Sequence, residues 1–551
     1  MINVTVMGDR LSVPEGTTYG ELCGKYNDKF ESQIIAAKSG NSLRELTHEV
    51  FEGENITFLD ITDGEGRSIY MRTVCMVMLK AVRDVLGKDT EIVIENSIKK
   101  NFYCEIHKGK VEVTQELTDK IRKRMQEIID ADIKIEHYKL PHDTAVEKLE
   151  ECGLDDKIRL YKYRNDSIVN LYCIEDYYDY LYGYMAPSTS YVELFDVEPY
   201  ENGFLLIVPP IHDIKHLHPV EKFEKITNVF MEQMRWSRLM EVKNVADLND
   251  VIVNGGFGDL VRINEALHEK KVASIADMIY HRKSKVKLVL IAGPSSSGKT
   301  SFANRLGIQL RVLGIKPHVI SMDDYFINRE DTPVDENGKR DYENINCIDI
   351  AQFNKDINAL IAGETVELPS YNFITGTREY KGNFIRLAEN EIMIIEGIHG
   401  LNDKLTPGIS PENKFKIFIS AMTQLNVDNH KFISTSDSRL LRRMVRDNLS
   451  RGNDAAATIS AWPYVARGEE RNIFPFQENA DVMFNSATIY EISVLKQYAE
   501  PLLYKVTKDM PEYITAKRLI KFLAYFLSAP ADPIPNNSLI REFVGGSVFH
   551  V

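Results

Sequence analysis

The sequence has few cysteines, and their spacing excludes two roles that this residue often serves. Its 551 residues include six, and none of them forms a C-x-x-C pair. A disulfide framework is typical of small secreted chains dense in cysteine, and a cysteine zinc site needs closely spaced ligands. We therefore predict ordinary buried thiols at positions 23, 75, 104, 152, 173 and 347.

The sequence also lacks a long apolar run and an excess of basic residues. No uninterrupted apolar segment is long enough to cross a bilayer, and the first six residues alternate like a strand rather than a secretion signal. Acidic side chains outnumber basic ones by 81 to 67, which disfavours bulk attraction to nucleic acid or to an anionic membrane. We predict a cytoplasmic chain of about three or four domains with no membrane partner.

A glycine- and serine-rich segment at residues 293–300 is the strongest motif in the chain. It reads Gly-Pro-Ser-Ser-Ser-Gly-Lys-Thr and fits the phosphate-binding pattern G-x-x-x-x-G-K-[ST] at every position. Glycines let the backbone curl so that its amides face an anion, the lysine adds a positive charge, and the threonine hydroxyl can reach Mg²⁺. The predicted nucleotide-binding residues here are Gly293, Ser295, Ser296, Ser297, Gly298, Lys299, Thr300 and Ser301.

The sequence on both sides of this loop has the order that phosphate binding requires. Residues 286–292 form a short apolar run suited to a buried parallel strand, and Phe302, Leu306, Leu310 and Leu313 recur at helical spacing. A helix that begins at the loop adds its positive N-terminal end to the bound phosphate. The alternative is a Gly/Ser-rich turn without function.

Two acidic residues follow predicted strands of the same sheet. Asp323 comes after the strand at 318–321, and Glu396 directly follows the apolar run 392–395. Acids at the carboxyl edge of a parallel sheet face the ligand crevice, where Asp323 can activate an attacking hydroxyl and both acids can reach Mg²⁺. The predicted metal residues are Thr300, Asp323 and Glu396, and the alternative is solvated acids at strand ends.

Two further segments bring polar and basic groups to this region. The loop at 368–378 is polar and aromatic and suits a small substrate, although a surface loop with one packed tyrosine is the alternative. A predicted helix from about residue 437 carries arginines at three- and four-residue spacing, which gathers them toward one side. We expect them to close over transferring phosphates, unless the helix is simply solvated. They are Arg439, Arg442, Arg443 and Arg446.

These motifs, in this order, resemble the uridine kinase and phosphoribulokinase family over about residues 285–503. The shared segments are the phosphate loop, 321–323, 369–373, 395–397 and 439–447. The resemblance implies an α/β P-loop kinase domain with a mainly parallel sheet, which uses ATP and Mg²⁺ to phosphorylate a small-molecule hydroxyl acceptor. It implies roles for Lys299 and Asp323 in catalysis, for Glu396 beside the metal, and for Arg442, Arg443 and Arg446 against phosphate.

On the acceptor side, the resemblance implies a ribose-binding acid at Glu343 and a contact with the substrate ring at Tyr371. Uridine kinases read P-x-Y-D-F with a histidine shortly after, whereas this chain has Asn372 and Gly376 at those places. Because specificity depends on fully paired polar groups, the identity of the acceptor stays open. The predicted substrate-binding residues are Asp323, Glu343, Tyr371, Arg378 and Arg439.

Two other resemblances cover the N-terminal half. Residues 1–62 resemble the α+β β-grasp (TGS) domain at the head of threonyl-tRNA synthetases, and residues 67–221 resemble the α+β domain that edits mischarged tRNA in those enzymes. The editing family has an H-x-x-x-H pair on its first helix and a Cys/His pair near its last segment. Here 72–86 contains no histidine and 182–187 contains neither residue, so we expect a scaffold for binding or regulation without the metal site.

The remaining segments are predicted to be mainly helical. Residues 222–284 are interpreted as a helical linker, and residues 504–551 as a C-terminal helical extension and tail. Before the linker, His212, His216 and His218 have a spacing that zinc sites use, but Pro219 follows and no fourth ligand is evident. A loop with solvated imidazoles is the other interpretation of these histidines.

Two functions from different classes fit this sequence. The first is an ATP-dependent kinase that phosphorylates a hydroxyl of a uridine-like nucleoside or a similarly sized metabolite. The second is a nucleotide-regulated protein that binds tRNA or another RNA through its synthetase-like half, and a hybrid would sense a small ligand there and tune the kinase. The acceptor-side residues Asp323, Glu343 and Tyr371 favour the kinase, whereas the oligomeric state is left open.

Overall fold

The computed structural model describes residues 1–98, 100–107, 111–164, 166–220, 224–334, 338, 340–372, 374–423 and 425–549. Lys99, Phe373 and residues 221–223, which belong to segments interpreted above, lie outside the described residues. The six cysteines are free thiols, as predicted, and five of them are buried while Cys23 is half-buried.

Alternating apolar residues near the N-terminus form a mixed sheet. Its elements are β1 (Ile2–Val6), β2 (Asp9–Val13), α1 (Tyr19–Cys23), β3 (Ala36–Ser39), β4 (Ser42–Arg44) and β5 (Asn55–Leu59). The strand order is β2-β1-β5-β3-β4, with β1 and β5 parallel. Helix α1 begins where the Thr18 side chain accepts from the Glu21 amide and the Glu21 carboxylate accepts from the Thr18 amide, a capping box. Tyr19 and Leu22 then pack on the sheet.

A longer α+β segment follows, built around a helix that is buried on most sides. Two antiparallel sheets, β10-β9-β8 and β11-β12-β7-β6, share one apolar core with it. Helix α2 starts at Gly64, where Asp63 caps it, so it is longer than the segment 72–86, which was compared above with the first helix of the editing domain. The elements are α2 (Gly64–Leu86), β6 (Ile92–Ile98), β7 (Asn101–Ile106), α3 (Gln115–Asp130), β8 (Glu136–Pro141), α4 (His142–Glu151), α5 (Asp155–Tyr161), β9 (Ile168–Ile174), β10 (Tyr177–Asp179), β11 (Asp196–Tyr200) and β12 (Gly203–Ile207).

The C-terminal half contains a parallel sheet in the order β14-β17-β13-β18-β21. Its central strands are buried apolar runs, because helices cover both faces of a parallel sheet. This confirms the predicted α/β class. The strands are β13 (Leu288–Ala292), β14 (Lys316–Ser321), β15 (Thr365–Asn372), β16 (Thr377–Arg386), β17 (Glu391–Glu396), β18 (Lys414–Ser420), β19 (Asn426–Asp428), β20 (Lys431–Phe432) and β21 (Val482–Asn485).

The helices of this half surround the sheet, and some come from segments predicted to lie outside the domain. Val272 and Ile279 before the sheet and Leu539 after it share one apolar core with Phe302. A division at residues 284 and 503 therefore separates elements that pack together. The helices are α6 (Glu224–Leu239), α7 (Val245–Val253), α8 (Phe257–His281), α9 (Lys299–Val312), α10 (Ile350–Ile361), α11 (Thr435–Arg451), α12 (Ala455–Asn472), α13 (Glu491–Leu503), α14 (Tyr513–Leu523) and α15 (Arg541–Val544).

A buried charge cluster joins the two halves. The Lys157 ammonium lies 2.6 Å from an Asp179 carboxylate oxygen and 3.0 Å from one of Asp428, and all three side chains are fully buried. His430 adds a 2.7 Å contact to Asp179. Burial and Lys157 act in opposite directions on the pKa of Asp179, and the result lies below its ordinary value. Breaking one partner of such a cluster leaves an uncompensated charge, so it fixes the hairpin β19–β20 against α5 and β10.

Candidate active site

The loop after β13 has a shape that its glycines make possible. A Cβ at Gly293 would lie 1.9 Å from the carbonyl oxygen of Ile419, so the backbone can pass β18 only without a side chain. Gly298 has φ +82°, in the left-handed region, and directly precedes α9. The loop therefore curls tightly between the sheet and the helix, as the motif predicts.

Polar groups in this loop are left free for a ligand. The hydroxyls of Ser296 and Ser297 are buried and have no hydrogen-bond partner among the described residues. An unpaired buried hydroxyl is costly, and the N-terminus of α9 adds a partial positive charge at the same place. The Lys299 ammonium lies over the loop and donates to the carbonyls of Gly293 and Pro294 at 3.1 and 3.4 Å. These groups fit the phosphates of a nucleotide.

The two predicted acids lie on neighbouring strands. Ser321 of β14 is paired in register with Glu396 of β17, so Asp323 follows the same edge of the sheet two residues later. The Thr300 hydroxyl donates to a Glu396 carboxylate oxygen at 3.2 Å. Burial raises the pKa of Glu396 to about 7, Lys299 opposes this, and Asp323 adds to it. A threonine hydroxyl beside such carboxylates is a donor set that fits Mg²⁺.

Asp323 lies close enough to the loop lysine to interact with it electrostatically. Burial raises the pKa of the Asp323 carboxyl, Lys299 lowers it, and the neighbouring Asp324 raises it further. A 3-10 turn, capped by the Ser321 hydroxyl accepting from the Asp323 amide at 3.3 Å, holds this segment at the end of β14. The structure thus brings Lys299, Thr300, Asp323 and Glu396 together.

Glu343 belongs to the same group of charges. Its pKa is raised to about 7, first by burial and then by Glu469, while Arg443 and Lys299 lower it and Asp323 raises it. Glu343 can pack closely against α12 because residue 468 is glycine: a Cβ at Gly468 would lie 2.4 Å from the Glu343 Cβ. The predicted ribose-binding acid is therefore held beside the phosphate loop by α12.

The hairpin of β15 and β16 carries the predicted ring contact. Tyr371 pairs directly with Arg378 across the hairpin, and the Tyr371 amide donates to Asp324 at 3.1 Å. The Tyr371 ring packs edge-on against Phe326 with centroids 5.6 Å apart. The Arg378 guanidinium donates to Asp349 at 2.9 Å, so this predicted substrate contact is paired within the protein. Tyr371 therefore contacts Asp324, which is the residue next to Asp323 in the chain.

Uridine kinases have a histidine at the place of Gly376, and the structure explains why this chain has glycine there. Its φ is +74°, and a Cβ would lie 2.7 Å from the Arg329 Cβ. Its carbonyl accepts from the Arg329 amide at 2.8 Å. A histidine here would require a different hairpin turn, so the departure changes the shape of the loop as well as its chemistry.

The four arginines of α11 differ in their surroundings. The prediction that all four close over phosphate is corrected for two of them, Arg442 and Arg439. The Arg442 side chain is fully buried, donates to Glu491 at 2.6 Å and reaches the Ser296 carbonyl at 3.4 Å. It therefore supports the loop from behind and is not available to phosphate. Arg439 is also buried, pairs with Glu469 and donates to the Ser295 carbonyl at 2.8 Å, which removes it from direct substrate contact.

Arg443 and Arg446 keep partly exposed side chains. Arg443 donates to the Ser295 hydroxyl at 2.9 Å, and Arg446 pairs with Asp447 at 2.9 Å. Arg451, which was not predicted as a site residue, lies near enough to lower the pKa of Asp323. Of these two arginines, Arg443 contacts the loop, and Arg446 lies about one helical turn further along α11.

Two acidic residues that contact the loop belong to no sequence motif. A Glu469 carboxylate oxygen accepts from the Ser295 amide at 2.8 Å, at a loop amide where a phosphate would bind. Glu542 of α15 accepts from the Ser301 hydroxyl at 2.7 Å and raises the pKa of Glu396. Because the Ser301 hydroxyl is used in this way, only its amide can serve a nucleotide. Both acids come from distant segments, and no local spacing signals them.

The histidine cluster at 212–218 was considered above as a metal site. His216 and His218 are exposed and donate to Asp213 at 2.8 and 2.9 Å. Groups of potential metal ligands in the described part of the chain are Glu45 with His48 and His137, and Glu95 with Glu105 and His107. The three histidines at 212–218 belong to neither group, which favours the interpretation as a loop. Within the described ranges, every helix is too short or too polar to span a membrane.

Comparison with known proteins identifies relatives for both halves. The N-terminal half is similar to threonine–tRNA ligases, such as that of Syntrophotalea carbinolica, with 28% identity over 185 residues. This match covers 33% of the chain and 28% of the ligase, so the chain spans well under half of those relatives. The predicted resemblance of this half to the synthetases is thereby confirmed.

The C-terminal half matches a kinase family. Residues 288–493 match the Phosphoribulokinase / Uridine kinase family. The uridine kinase of Proteus mirabilis is 31% identical over 183 residues, which is 33% of this chain and 77% of that enzyme. The solved structure of a possible uridine kinase from Bacillus stearothermophilus is 22% identical and covers 39% of this chain and 98% of its own, with a TM-score of 0.27. The chain therefore belongs to the phosphoribulokinase/uridine kinase family.

Proposed function

We propose that the chain is an ATP- and Mg²⁺-dependent kinase that transfers the γ-phosphoryl group to a hydroxyl of a nucleoside or a similarly sized metabolite. The observation that carries this proposal is the convergence of Lys299, Asp323 and the Thr300–Glu396 pair at one edge of the sheet. Family membership and the unpaired serine hydroxyls of the loop support it.

The protein groups divide the work of phosphoryl transfer. Backbone amides of the loop and the Lys299 ammonium hold the phosphates and stabilise the charge that develops on the transferred group. Asp323 orients the acceptor hydroxyl and accepts its proton as the oxygen attacks phosphorus. Arg443, which reaches the Ser295 hydroxyl, is placed to add positive charge once a nucleotide fills the loop.

Thr300 and Glu396 are the residues that would hold Mg²⁺, with Asp323 near them. The ion would supply charge neutralisation on the phosphate oxygens. The raised pKa of Glu396 reflects a buried acid with too little positive charge around it, which a cation would correct. Ionised Glu396 and the neutral Thr300 hydroxyl are both oxygen donors, as Mg²⁺ requires.

The acceptor is proposed to be a nucleoside of the uridine type or a compound that presents a similar diol. Glu343, beside Lys299 and Asp323, is placed to accept hydrogen bonds from vicinal hydroxyls. Tyr371 offers an aromatic face near the same acids. Asn372 and Gly376 differ from uridine kinases, so the base or ring contact need not match that of uridine.

The test is ADP production across a panel of nucleosides and sugars. Lys299→Ala and Asp323→Asn are expected to abolish acceptor-dependent turnover, because each removes a group that acts on the transferred phosphoryl or on the hydroxyl. Lys270→Ala and Asp277→Asn, on the exposed side of α8, are matched controls and should keep activity. Full turnover in both site variants would end the proposal.

A second function is favoured by the similarity of the N-terminal half to threonine–tRNA ligases. In that case the chain binds tRNA or another RNA and uses the nucleotide as a switch, with no small acceptor. The full chain should then bind tRNA at low salt, where electrostatic attraction is strongest. Absence of binding under those conditions removes this alternative.

A further inference from the structure

A cavity of about 430 Å³ lies where three parts of the chain meet. One wall contains residues 41–43, 48, 65 and 72, and a second contains residues 137, 139, 168, 170, 172, 180 and 182–184. Helix α14 forms the third wall. Its described lining residues include none of the candidate active-site residues. The volume falls within the range of small-molecule sites, roughly 300–1,000 Å³.

Aromatic side chains form much of the cavity wall. The rings of Tyr172 and Tyr180 lie in nearly parallel planes, 3° apart, with centroids separated by 6.5 Å. Tyr182 continues this wall, 5.4 Å from Tyr180. Tyrosine rings give a flat ligand a large contact area at a small entropic cost. The lining tyrosines are Tyr172, Tyr180, Tyr182, Tyr184 and Tyr513.

The polar part of the wall is strongly basic, in a chain whose net charge is −14. Among the described lining residues Glu65 is the acid, against the bases Arg72, Lys139, Lys517, Arg518 and Lys521. Burial, then Lys517 and Arg164, lower the pKa of the Lys521 ammonium. Like charges held this close disfavour one another, and an anion between them would relieve the repulsion.

The two histidines of the described lining, His48 and His137, are both held by Glu45. His137 is held between Glu45 at 2.8 Å and Asn170 at 3.0 Å, so both of its ring nitrogens are used. Burial lowers the pKa of His48. Helix α14, which belongs to the C-terminal extension and has no place in the synthetase-like region, supplies the aromatic ring of Tyr513 with the ammonium of Lys517 5.8 Å from its centroid. The wall therefore combines a stacking surface with cations.

One wall residue connects the cavity to the phosphate loop. The Arg518 guanidinium donates to both carboxylate oxygens of Asp437, at 2.5 and 2.8 Å. Asp437 lies in the first turn of α11, and the same helix reaches the loop through Arg439 and Arg443, which contact Ser295. A ligand that attracts Arg518 competes with Asp437 for it, and so acts on the helix that supports the loop.

We propose that this cavity is an effector site for a nucleotide, meaning an aromatic base that carries at least one phosphate group, whose binding changes the affinity of the loop for ATP. The base would stack on the tyrosines while Lys517 and Lys521 hold the phosphate. The effect on ATP rests on the proposed function, whereas binding in the cavity does not.

The first experiment measures binding of ribonucleoside monophosphates to the full chain by equilibrium dialysis. A saturating non-hydrolysable ATP analogue occupies the loop throughout. Lys517→Glu/Lys521→Glu is expected to weaken binding of at least one nucleotide by about tenfold or more, because two attractive charges become repulsive. Lys505→Glu/Lys508→Glu, exposed on the same extension, is the matched control and should bind as the unchanged chain does. Tyr513→Ala tests the stacking surface independently of charge.

Equal binding of every nucleotide by the unchanged chain and by both cavity variants overturns the proposal. The same binding measurements with tRNA distinguish a free nucleotide from the nucleotide at the end of an RNA, which offers the same base and phosphate. If tRNA binding depends on Lys517 and Lys521 while no mononucleotide binding does, the cavity serves an RNA end and the proposal of a free nucleotide is wrong.

The second experiment measures the link to the loop. The affinity of the ATP analogue is determined with and without the cavity ligand, and the ligand's affinity with and without the analogue. The two ratios must be equal and different from one, because coupling between sites is reciprocal. Asp437→Asn should bring the ratio toward one while the cavity still binds. A ratio of one in the unchanged chain overturns the effector role, and this result does not depend on whether any acceptor is phosphorylated.

Discussion

The hydroxyl of Thr300 donates to a carboxylate oxygen of Glu396 across 3.2 Å and so joins the first turn of α9 to the end of β17. The two residues are 96 positions apart in the chain. The parallel register of β14, β17 and β13 brings them together, because it places the carboxyl ends of these strands at one edge. The same edge carries Asp323, and the proposed chemistry depends on this arrangement.

Replacing Glu396 with glutamine should lower kcat by about a hundredfold and raise the Mg²⁺ concentration needed for half-maximal activity. The amide keeps an oxygen near Thr300 but removes the negative charge that attracts the ion. Initial rates across a Mg²⁺ titration provide the measurement. Glu389→Gln, exposed just before the same strand, serves as the control, and an unchanged Mg²⁺ dependence in Glu396→Gln would contradict the metal role.

Glu343 should make the nucleotide-free protein less stable as the pH rises. Its pKa is about 7 in the folded state against an ordinary 4.5, so the folded state binds this proton more tightly than the unfolded state does. Below pH 4.5 both states are protonated and the residue has no effect, and the loss of stability grows up to about pH 7. Glu343→Gln should therefore raise the free energy of unfolding above pH 7, by on the order of 2 kcal/mol, and leave it unchanged near pH 4.5.

Denaturant unfolding at several pH values gives this comparison. Glu389→Gln is again the control, since its side chain is exposed. A stabilising effect of Glu343→Gln that is as large at low pH as at high pH would assign the effect to packing and not to the charge. The same substitution should reduce acceptor-dependent turnover, which separates the functional role of the carboxylate from its cost in stability.

Gly293→Ala should abolish nucleotide binding, because a Cβ at this position would lie 1.9 Å from the Ile419 carbonyl oxygen. Backbone atoms cannot yield as a side chain can, so the loop must move and its amides lose their common direction. We expect the affinity for an ATP analogue, measured by calorimetry, to fall by about a hundredfold or more. Gly258→Ala in α8, where the nearest atom would be 3.6 Å away, should bind normally.

Arg442 and Arg443 should respond differently to substitution with methionine. Arg442→Met leaves the fully buried Glu491 without its cationic partner and should cost about 3–5 kcal/mol in the free energy of unfolding. Arg443→Met removes a partly exposed side chain and should cost little stability, while ATP-analogue affinity falls. Arg442→Met/Glu491→Met should recover much of the lost stability. Equal stability of the two single variants would show that Arg442 is not the support described above.

The sequence located the motifs of the C-terminal half because each depends on local chemistry. A glycine-rich turn between an apolar strand and a helix, or an acid at the end of a buried strand, is visible over about ten residues. The loop, Asp323 and Glu396 all lie where these patterns predict them. Helix boundaries are harder to predict: α2 begins at Gly64, after the Asp63 cap, and thus before the segment 72–86 that resembles the first helix of the editing domain. A cap is a single hydrogen bond and not a periodicity.

The positions whose roles the sequence mispredicts or misses share one property, which is a partner outside their own segment of the chain. Arg442 has the spacing of a phosphate contact, yet Glu491 pairs with it and buries it. Glu469 and Glu542 reach the loop from α12 and α15, and nothing in their neighbourhoods marks them. Spacing shows which side of a helix a residue lies on, but not what is packed against that side.

By itself, the sequence determined the phosphate loop, the order of its acids and the α/β character of the C-terminal half, since these follow from backbone conformation and strand periodicity. Only the tertiary structure decided which arginines remain available, which acids approach the loop, and that α14 and the tyrosines around 172–184 enclose a basic cavity. Those features depend on desolvation and on distances between segments tens to hundreds of residues apart, and neither quantity is encoded in any short stretch of residues.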